Sequence, residues 1–217
     1  LQMAGALAAA AAPAGSSVLY ASAEESAAQL HLRASRLGLT GGPADGGLAV
    51  LAGPDVAAIV TAGSAAPPAL LVVDSIQTVE VDGLDGPPGS VGQVRESAQQ
   101  LGAFAREAGV PVLLVGHVTK DGALAGPRTL EHLVDAVLML EGDRYGSLRL
   151  LRALKNRPGS TEEVGVMEMT GAGLVEVQDT AAAFLGSGQR EAPGVAVAAV
   201  LEGTRPLLVE VQALVAP

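Results

Sequence analysis

Short unbroken apolar runs alternate along the chain with stretches in which apolar residues recur every three or four positions. The first kind predicts strands buried on both faces, the second amphipathic helices. Residues 17–21, 48–51, 70–73 and 111–115 are runs of the first kind. Between them, Ala27, Leu30, Ala34 and Leu37 share one helical face, and so do Val94, Ala98, Leu101 and Ala105. Punctuation agrees with this reading. Ser22 and Glu25 have capping-box spacing, Gly38 closes the helix after them, and Ser90 with Gln93 repeats the box before a helix through about Glu107. Residues 1–12 favour helix by their Ala and Leu content, up to Pro13 and Gly15, and 54–63 predict a short helix.

Beyond residue 128 the pattern changes. Residues 129–134 predict one more short helix, then 136–140 and 147–154 predict strands, and 164–169 with 174–177 a hairpin. Strands alternating with helices, followed by a run of strands, predict an α/β fold: a mostly parallel twisted sheet with flanking helices and an antiparallel extension. Residues 1–180 form this core, the small and polar 181–193 a linker, and 194–217 two strands that cannot stand alone. Three stretches carry little regular pattern: the Gly-rich 40–47, then 79–90 and 119–128. Long loops of this kind are usually functional or mobile.

Composition narrows the function classes. The chain has 217 residues, 13 Lys+Arg against 23 Asp+Glu, and a formal net charge of −10. This argues against broad unaided nucleic-acid binding but leaves room for a few loop cations on DNA. With no cysteine, disulfides and Cys-based zinc sites are excluded. Aromatics are only 2 %, so the core must be built from Leu, Val and Ala. No apolar stretch is long enough to span a bilayer, and the opening lacks the basic residues of a signal peptide. It reads instead as a helix entered partway along.

Three predicted strands deliver a polar group at or just beyond their carboxyl ends: Glu24, Asp74 and His117. In open α/β sheets that is where ligands bind, so neighbouring strands would bring the three to one crevice. An apolar run ending in Asp is the Walker B pattern, whose Asp helps to hold the Mg²⁺ of a nucleotide, here through water. The alternative for Asp74 is a helix cap or turn, and for His117 a satisfied core or loop histidine. The Ser22 box gives Glu25 a local duty, which leaves Glu24 as the general base. Lys155 and Arg157 stand in a polar turn, either solvated or reaching a neighbouring subunit's phosphates. Lys120 and Arg128, in the 119–128 loop, are either solubility charges or DNA phosphate contacts. No G-x-x-x-x-G-K-[ST] phosphate loop occurs in the sequence.

Several segments together resemble one family. They are Val18-Leu-Tyr-Ala-Ser-Ala-Glu-Glu-Ser26, Leu71-Val-Val-Asp-Ser-Ile-Gln-Thr78, Gly116-His-Val-Thr-Lys-Asp-Gly122, Ala125-Gly-Pro-Arg128, Leu130-Glu-His132, Glu141-Gly-Asp-Arg144 and Lys155-Asn-Arg157. In this order they resemble the bacterial RadA (Sms) family, RecA-like ATPases of recombinational DNA repair. The resemblance covers essentially the whole chain, with 194–217 similar to the start of that family's Lon-protease-like domain. It implies a cytoplasmic, Mg²⁺-dependent ATP hydrolase that forms a homo-hexameric ring on single-stranded DNA. That ring drives branch migration alongside the RecA recombinase, without a membrane. It further implies Glu24 as catalytic glutamate, Asp74 and Ser75 at the nucleotide, His117 as sensor, and Lys155 and Arg157 serving the neighbour's site.

The chain departs from the family in lacking the phosphate loop and the four-Cys zinc finger, and in stopping early in the Lon-like part. A fragment or incomplete gene is the simplest reading, and such a chain is expected to hydrolyse ATP negligibly by itself. The family's Phe is Pro158 here, and proline restricts Arg157 to extended conformations. The competing readings are another RecA-fold hexameric ATPase, DnaB-like or KaiC-like, and a non-catalytic assembly scaffold.

Overall fold

The computed structural model describes residues 1–2, 5–6, 17–39, 47–117, 130–142, 147–185 and 194–213. The chain divides into two compact units, Leu1–Val134 and Asp135–Pro217.

The first unit is built on four parallel strands: β1 (Val18–Ser22), β2 (Leu48–Ala52), β3 (Leu70–Asp74) and β4 (Val112–Val115), in the order β2-β1-β3-β4. Helices α1 (Ala27–Arg36), α2 (Val56–Ala65) and α3 (Val91–Ala108) make the crossovers. Side chains alternate across a strand, so parity sorts the two faces. Val18, Tyr20 and Val72 pack with Leu30 of α1 on one face. Leu19, Ala21, Leu71 and Val73 pack on the other with Ile59 of α2 and Val94, Leu101 and Phe104 of α3. Both faces of β1 and β3 are buried and β2 and β4 are half-buried, which is why these strands read as unbroken apolar runs.

Two of the predicted capping boxes resolve differently. α1 starts after Ser26, whose hydroxyl and backbone N–H exchange hydrogen bonds with Gln29. Ser22 remains in β1, paired with Ala52 and Asp74, and its hydroxyl accepts the Glu25 N–H across a bend, 3.2 Å. Ser-x-x-Glu and Ser-x-x-Gln satisfy the same pattern, and sheet pairing holds the first serine out of the helix. Ser90 caps α3 as predicted, but the Gln93 side chain turns away from it. Buried to 2 % exposure, it accepts from Val81 N, 2.9 Å, and donates to the carbonyls of Val81, Leu84 and Gly86. The 79–90 segment, tied at Glu80 by a single parallel bridge to Asp55, has four further backbone contacts supplied by this one amide. Gly109 closes α3 in the left-handed region, φ 66°.

The second unit is antiparallel. Strands β5 (Ala136–Gly142), β6 (Leu148–Asn156), β7 (Val164–Thr170) and β8 (Gly173–Glu176) form a meander in that order. β9 (Val195–Glu202) and β10 (Arg205–Gln212) form a separate two-stranded ribbon. Thr204, in its turn, donates its N–H to the Glu162 carbonyl, 3.0 Å. Of the predicted helix over 129–134, Thr129 lies outside the described residues, Leu130 is helical, and the chain then leaves through a turn, with Leu133 and Val134 N–H on the Leu130 carbonyl. Conversely, the start of the predicted linker is helical: α4 (Thr180–Leu185) takes up the Ala-rich 181–183, a composition with high helix propensity. Among the described residues no helix is long and apolar enough to cross a membrane.

Candidate active site

The strand order places the site. The chain leaves β1 through α1 to reach β2 on one side, then returns through α2 to β3 on the other. The connections therefore part between β1 and β3, and open α/β sheets bind ligands at the carboxyl ends of strands flanking such a point. Ser22 pairs with Asp74, and Asp74 with Val115. The strand ends are level, and the residues just beyond them share one crest. The edge is knitted further by Ala23 N–H on the Asp74 carbonyl, 3.4 Å, and Ile76 N–H on the Val115 carbonyl, 2.9 Å.

On that crest Glu24, Asp74 and His117 come together. One ligand atom of each lies within 4.8 Å of those of the other two. His117 Nε2 stands 3.4 Å from Glu24 Oε1, with both side chains substantially exposed to the crevice. Glu25 points elsewhere, to an ion pair with Arg33 of α1. Glu25 is thus no helix cap, but it is committed locally, and Glu24 is the acid at the crest.

Each of the three groups is held by a neighbour. Ser75, fully buried, donates its hydroxyl to Glu24 Oε1 at 2.6 Å. Its own backbone N–H goes to Thr78 Oγ1, 3.2 Å. Tyr20 donates its phenol to Asp74 Oδ2, and burial first, then this bond and the carboxylate's charge, push its ionisation well above the usual phenol range. Gln77 grips the backbone of His117 from both sides, donating Nε2 to its carbonyl at 3.1 Å and accepting its N–H at 3.3 Å. The sequence pattern does not single out Tyr20 or Gln77. A signal for Tyr20 exists all the same: a tyrosine inside a strand buried on both faces needs a partner for its hydroxyl, and Asp74 ends the neighbouring strand.

The donor chemistry suits a divalent cation. Two carboxylates supply hard oxygens, and among the described residues no hydrogen bond engages Asp74 Oδ1. Asp74 and Glu24 are therefore the residues fitted to hold Mg²⁺ or its water shell, with His117 a nitrogen alongside.

Other predicted residues lie apart. Lys155 and Arg157 belong to the second unit, at the end of β6 and in the turn after it, with Lys155 opposite Val137 in the β5–β6 ladder. Arg157 is bound twice to Asp135, through its N–H to the carbonyl and its guanidinium to Oδ1, 3.0 Å. Both side chains are well exposed, so the pair is weak and can exchange for another anion. Lys120 and Arg128 lie outside the described residues.

Residues 2–123, more than half of the chain, match the AAA domain family. DNA repair protein RadA of Brucella abortus (strain 2308) is 48 % identical over 204 residues, which is 94 % of this chain and 44 % of the relative. That of Bacillus subtilis (strain 168) is 48 % identical over 201 residues, 93 % of this chain and 43 % of the relative. DNA repair protein RadA of Pseudomonas aeruginosa is 50 % identical over 197 residues, 91 % and 43 %. The chain thus spans less than half the length of these curated relatives. Among solved structures, the KaiC-like protein PH0186 of Pyrococcus horikoshii OT3 superposes with a TM-score of 0.55 at 20 % identity, covering 75 % of this chain and 77 % of that one. The RadB recombinase gives 0.54 at 21 % identity, covering 76 % and 80 %. The α/β architecture is therefore RecA-like. The chain belongs to the AAA domain family, and its residues fit a segment of DNA repair protein RadA.

Proposed function

We propose that this chain is the hydrolytic core of a DNA-dependent ATPase of recombinational repair, which turns ATP hydrolysis into branch migration on single-stranded DNA. The observation that carries the reading is the convergence of Glu24, Asp74 and His117 at the ends of three adjacent parallel strands. Glu24, with Oε1 oriented by Ser75, takes the proton of the attacking water as general base. Asp74 holds the cation through water, and Ser75 lies beside the nucleotide. Mg²⁺, when bound, supplies charge neutralisation on the phosphates. His117, whose Nε2 rests near Glu24, exchanges that contact for an oxygen of the terminal phosphate and so reports its presence.

Lys155 and Arg157 serve the site of the next subunit in a homo-hexameric ring. Arg157 leaves its exposed pairing with Asp135 for a phosphate oxygen there. Lys120 and Arg128 contact DNA phosphates, the RecA recombinase acts on the same intermediates, and the β9–β10 ribbon opens a Lon-protease-like domain. The phosphate cradle itself has no counterpart in the 217 residues.

The test is phosphate release from ATP by this chain and by the chain joined upstream to a G-x-x-x-x-G-K-[ST] segment. The expected result is negligible release by the first. The second should turn over ATP in a Mg²⁺-dependent way, stimulated by single-stranded DNA, and should move a synthetic three-strand junction. Robust release by the chain alone, or none from the extended one, contradicts the reading. Turnover without junction movement returns it to the DnaB-like or KaiC-like class.

A further inference from the structure

We propose that Tyr20 is the positioning residue of the Asp74 carboxylate. Its phenol occupies Oδ2, so that Asp74 meets the crevice, and any divalent ion there, through Oδ1 alone. The proposal deepens the hydrolytic reading above and rests on it.

Tyr20 is 1 % exposed. It lies opposite Val72 in the β1–β3 ladder, two residues before the level of Asp74, on the face covered by Leu30 of α1. A phenol packed there among Val18, Leu30 and Val72 is shut off from water, and its O–H must find an acceptor or lose the energy of a hydrogen bond. The acceptor is an oxygen of Asp74. A hydroxyl donating to an ionised carboxylate makes one of the stronger hydrogen bonds available to a side chain. The bond fixes the rotation of the carboxylate and makes Oδ2 the poorer cation ligand, because the donated proton occupies one of its lone pairs and draws on its charge. What remains is a single presented oxygen, in an orientation set before any ligand arrives. Burial and the carboxylate keep the phenol protonated through the neutral range, so the bond does not switch off at physiological pH.

The consequence is specific. Without the hydroxyl, Asp74 keeps its charge but loses its aim. Its Oδ2 turns toward water or the cation, and the ion is held in a different geometry. The loss should fall on the Mg²⁺ requirement and spare the nucleotide itself.

The chain contains no tryptophan and two tyrosines, Tyr20 and Tyr145, which makes tyrosine emission directly readable. A phenol bonded to a carboxylate emits weakly, because the excited phenol passes its proton to the acceptor. In this chain as it stands, Asp74→Asn should brighten tyrosine emission. The same substitution placed in Tyr20→Phe, where only Tyr145 emits, should leave it unchanged. Equal emission from the parent and Asp74→Asn would overturn the contact.

The second arm uses the chain extended by a phosphate-loop segment. Tyr20→Phe should raise the Mg²⁺ concentration for half-maximal hydrolysis about tenfold, while KM for ATP at saturating Mg²⁺ stays within about twofold of the parent. A loss of rate that is the same at every Mg²⁺ concentration means a merely structural role and overturns the proposal, as does an unshifted Mg²⁺ curve. If the extended parent does not hydrolyse ATP, the hydrolytic reading itself falls, and the emission arm still decides whether Tyr20 holds Asp74.

Discussion

At the scale of single residues, the site depends on orientation fixed in advance. A carboxylate that must take a proton from water, and another that must present an oxygen to a cation, work best when neither has to reorganise during the reaction. Ser75 holds Glu24, Tyr20 holds Asp74, and Gln77 holds the backbone of His117. In the chain extended by a phosphate-loop segment, the Gln77 clamp predicts that Gln77→Leu, similar in volume but without the amide, lowers kcat about tenfold and leaves KM for ATP nearly unchanged. In a His117→Ala background it should cost nothing further, since both changes remove one function. Additive losses would show that Gln77 acts elsewhere.

Tyr20 carries a pH dependence of its own. Its phenol ionises above its unfolded value of about 10 in the folded chain. A raised value means that the folded state holds the proton longer. The contribution is therefore complete below about pH 10 and is lost as pH rises through the folded value. Urea midpoints compared at about pH 9 and about pH 11 should fall more in the parent than in Tyr20→Phe, and equal falls would contradict the assigned environment. Of the site, Glu24, Asp74 and His117 were legible in the sequence because each follows an apolar run. Tyr20 and Gln77 were harder to see, because their importance comes from which strand lies beside which.

At the scale of elements, ambiguity arose where one sequence pattern had two realisations. Ser22-x-x-Glu25 and Ser26-x-x-Gln29 are equivalent boxes on paper, and pairing of Ser22 to Asp74 decides between them. The later start of α1 is what leaves Glu24 on the crest instead of inside a first helical turn. Residues 79–90, rich in Gly and Pro, read correctly as lacking regular structure, but not as organised. The organiser is Gln93, predicted as half of a cap. Gln93→Leu would leave the Val81 N–H and the Leu84 and Gly86 carbonyls without the amide that bonds them, so it should destabilise the chain by about 2–3 kcal/mol and speed amide exchange across 79–90. A neutral effect on urea unfolding would contradict the staple.

Helix packing gives a second prediction. A Cβ at Gly63 of α2 would come within 2.7 Å of the Phe104 ring of α3. Gly63→Ala should therefore cost about 1–3 kcal/mol by overpacking, despite alanine's better helix propensity. A stabilised variant would mean that the two helices have room to part.

At the scale of the whole molecule, the division of labour follows the chain. The parallel unit carries the convergent groups, and the antiparallel unit carries the cations proposed for a neighbour. The parallel unit was readable because strands buried on both faces have no polar alternation to confuse them. The antiparallel strands were found as well, with ends displaced by one or two residues. The small-residue stretch after β8 begins in a short helix, where the sequence has three consecutive alanines. The central claim is that Glu24 does chemistry and does not merely bind. The measurement closest to that claim uses the chain carrying an upstream phosphate loop, as parent and as Glu24→Gln, assayed side by side for nucleotide affinity and phosphate release. The account predicts unchanged affinity with hydrolysis reduced by about a hundredfold or more. Hydrolysis at the parent rate in Glu24→Gln would contradict it.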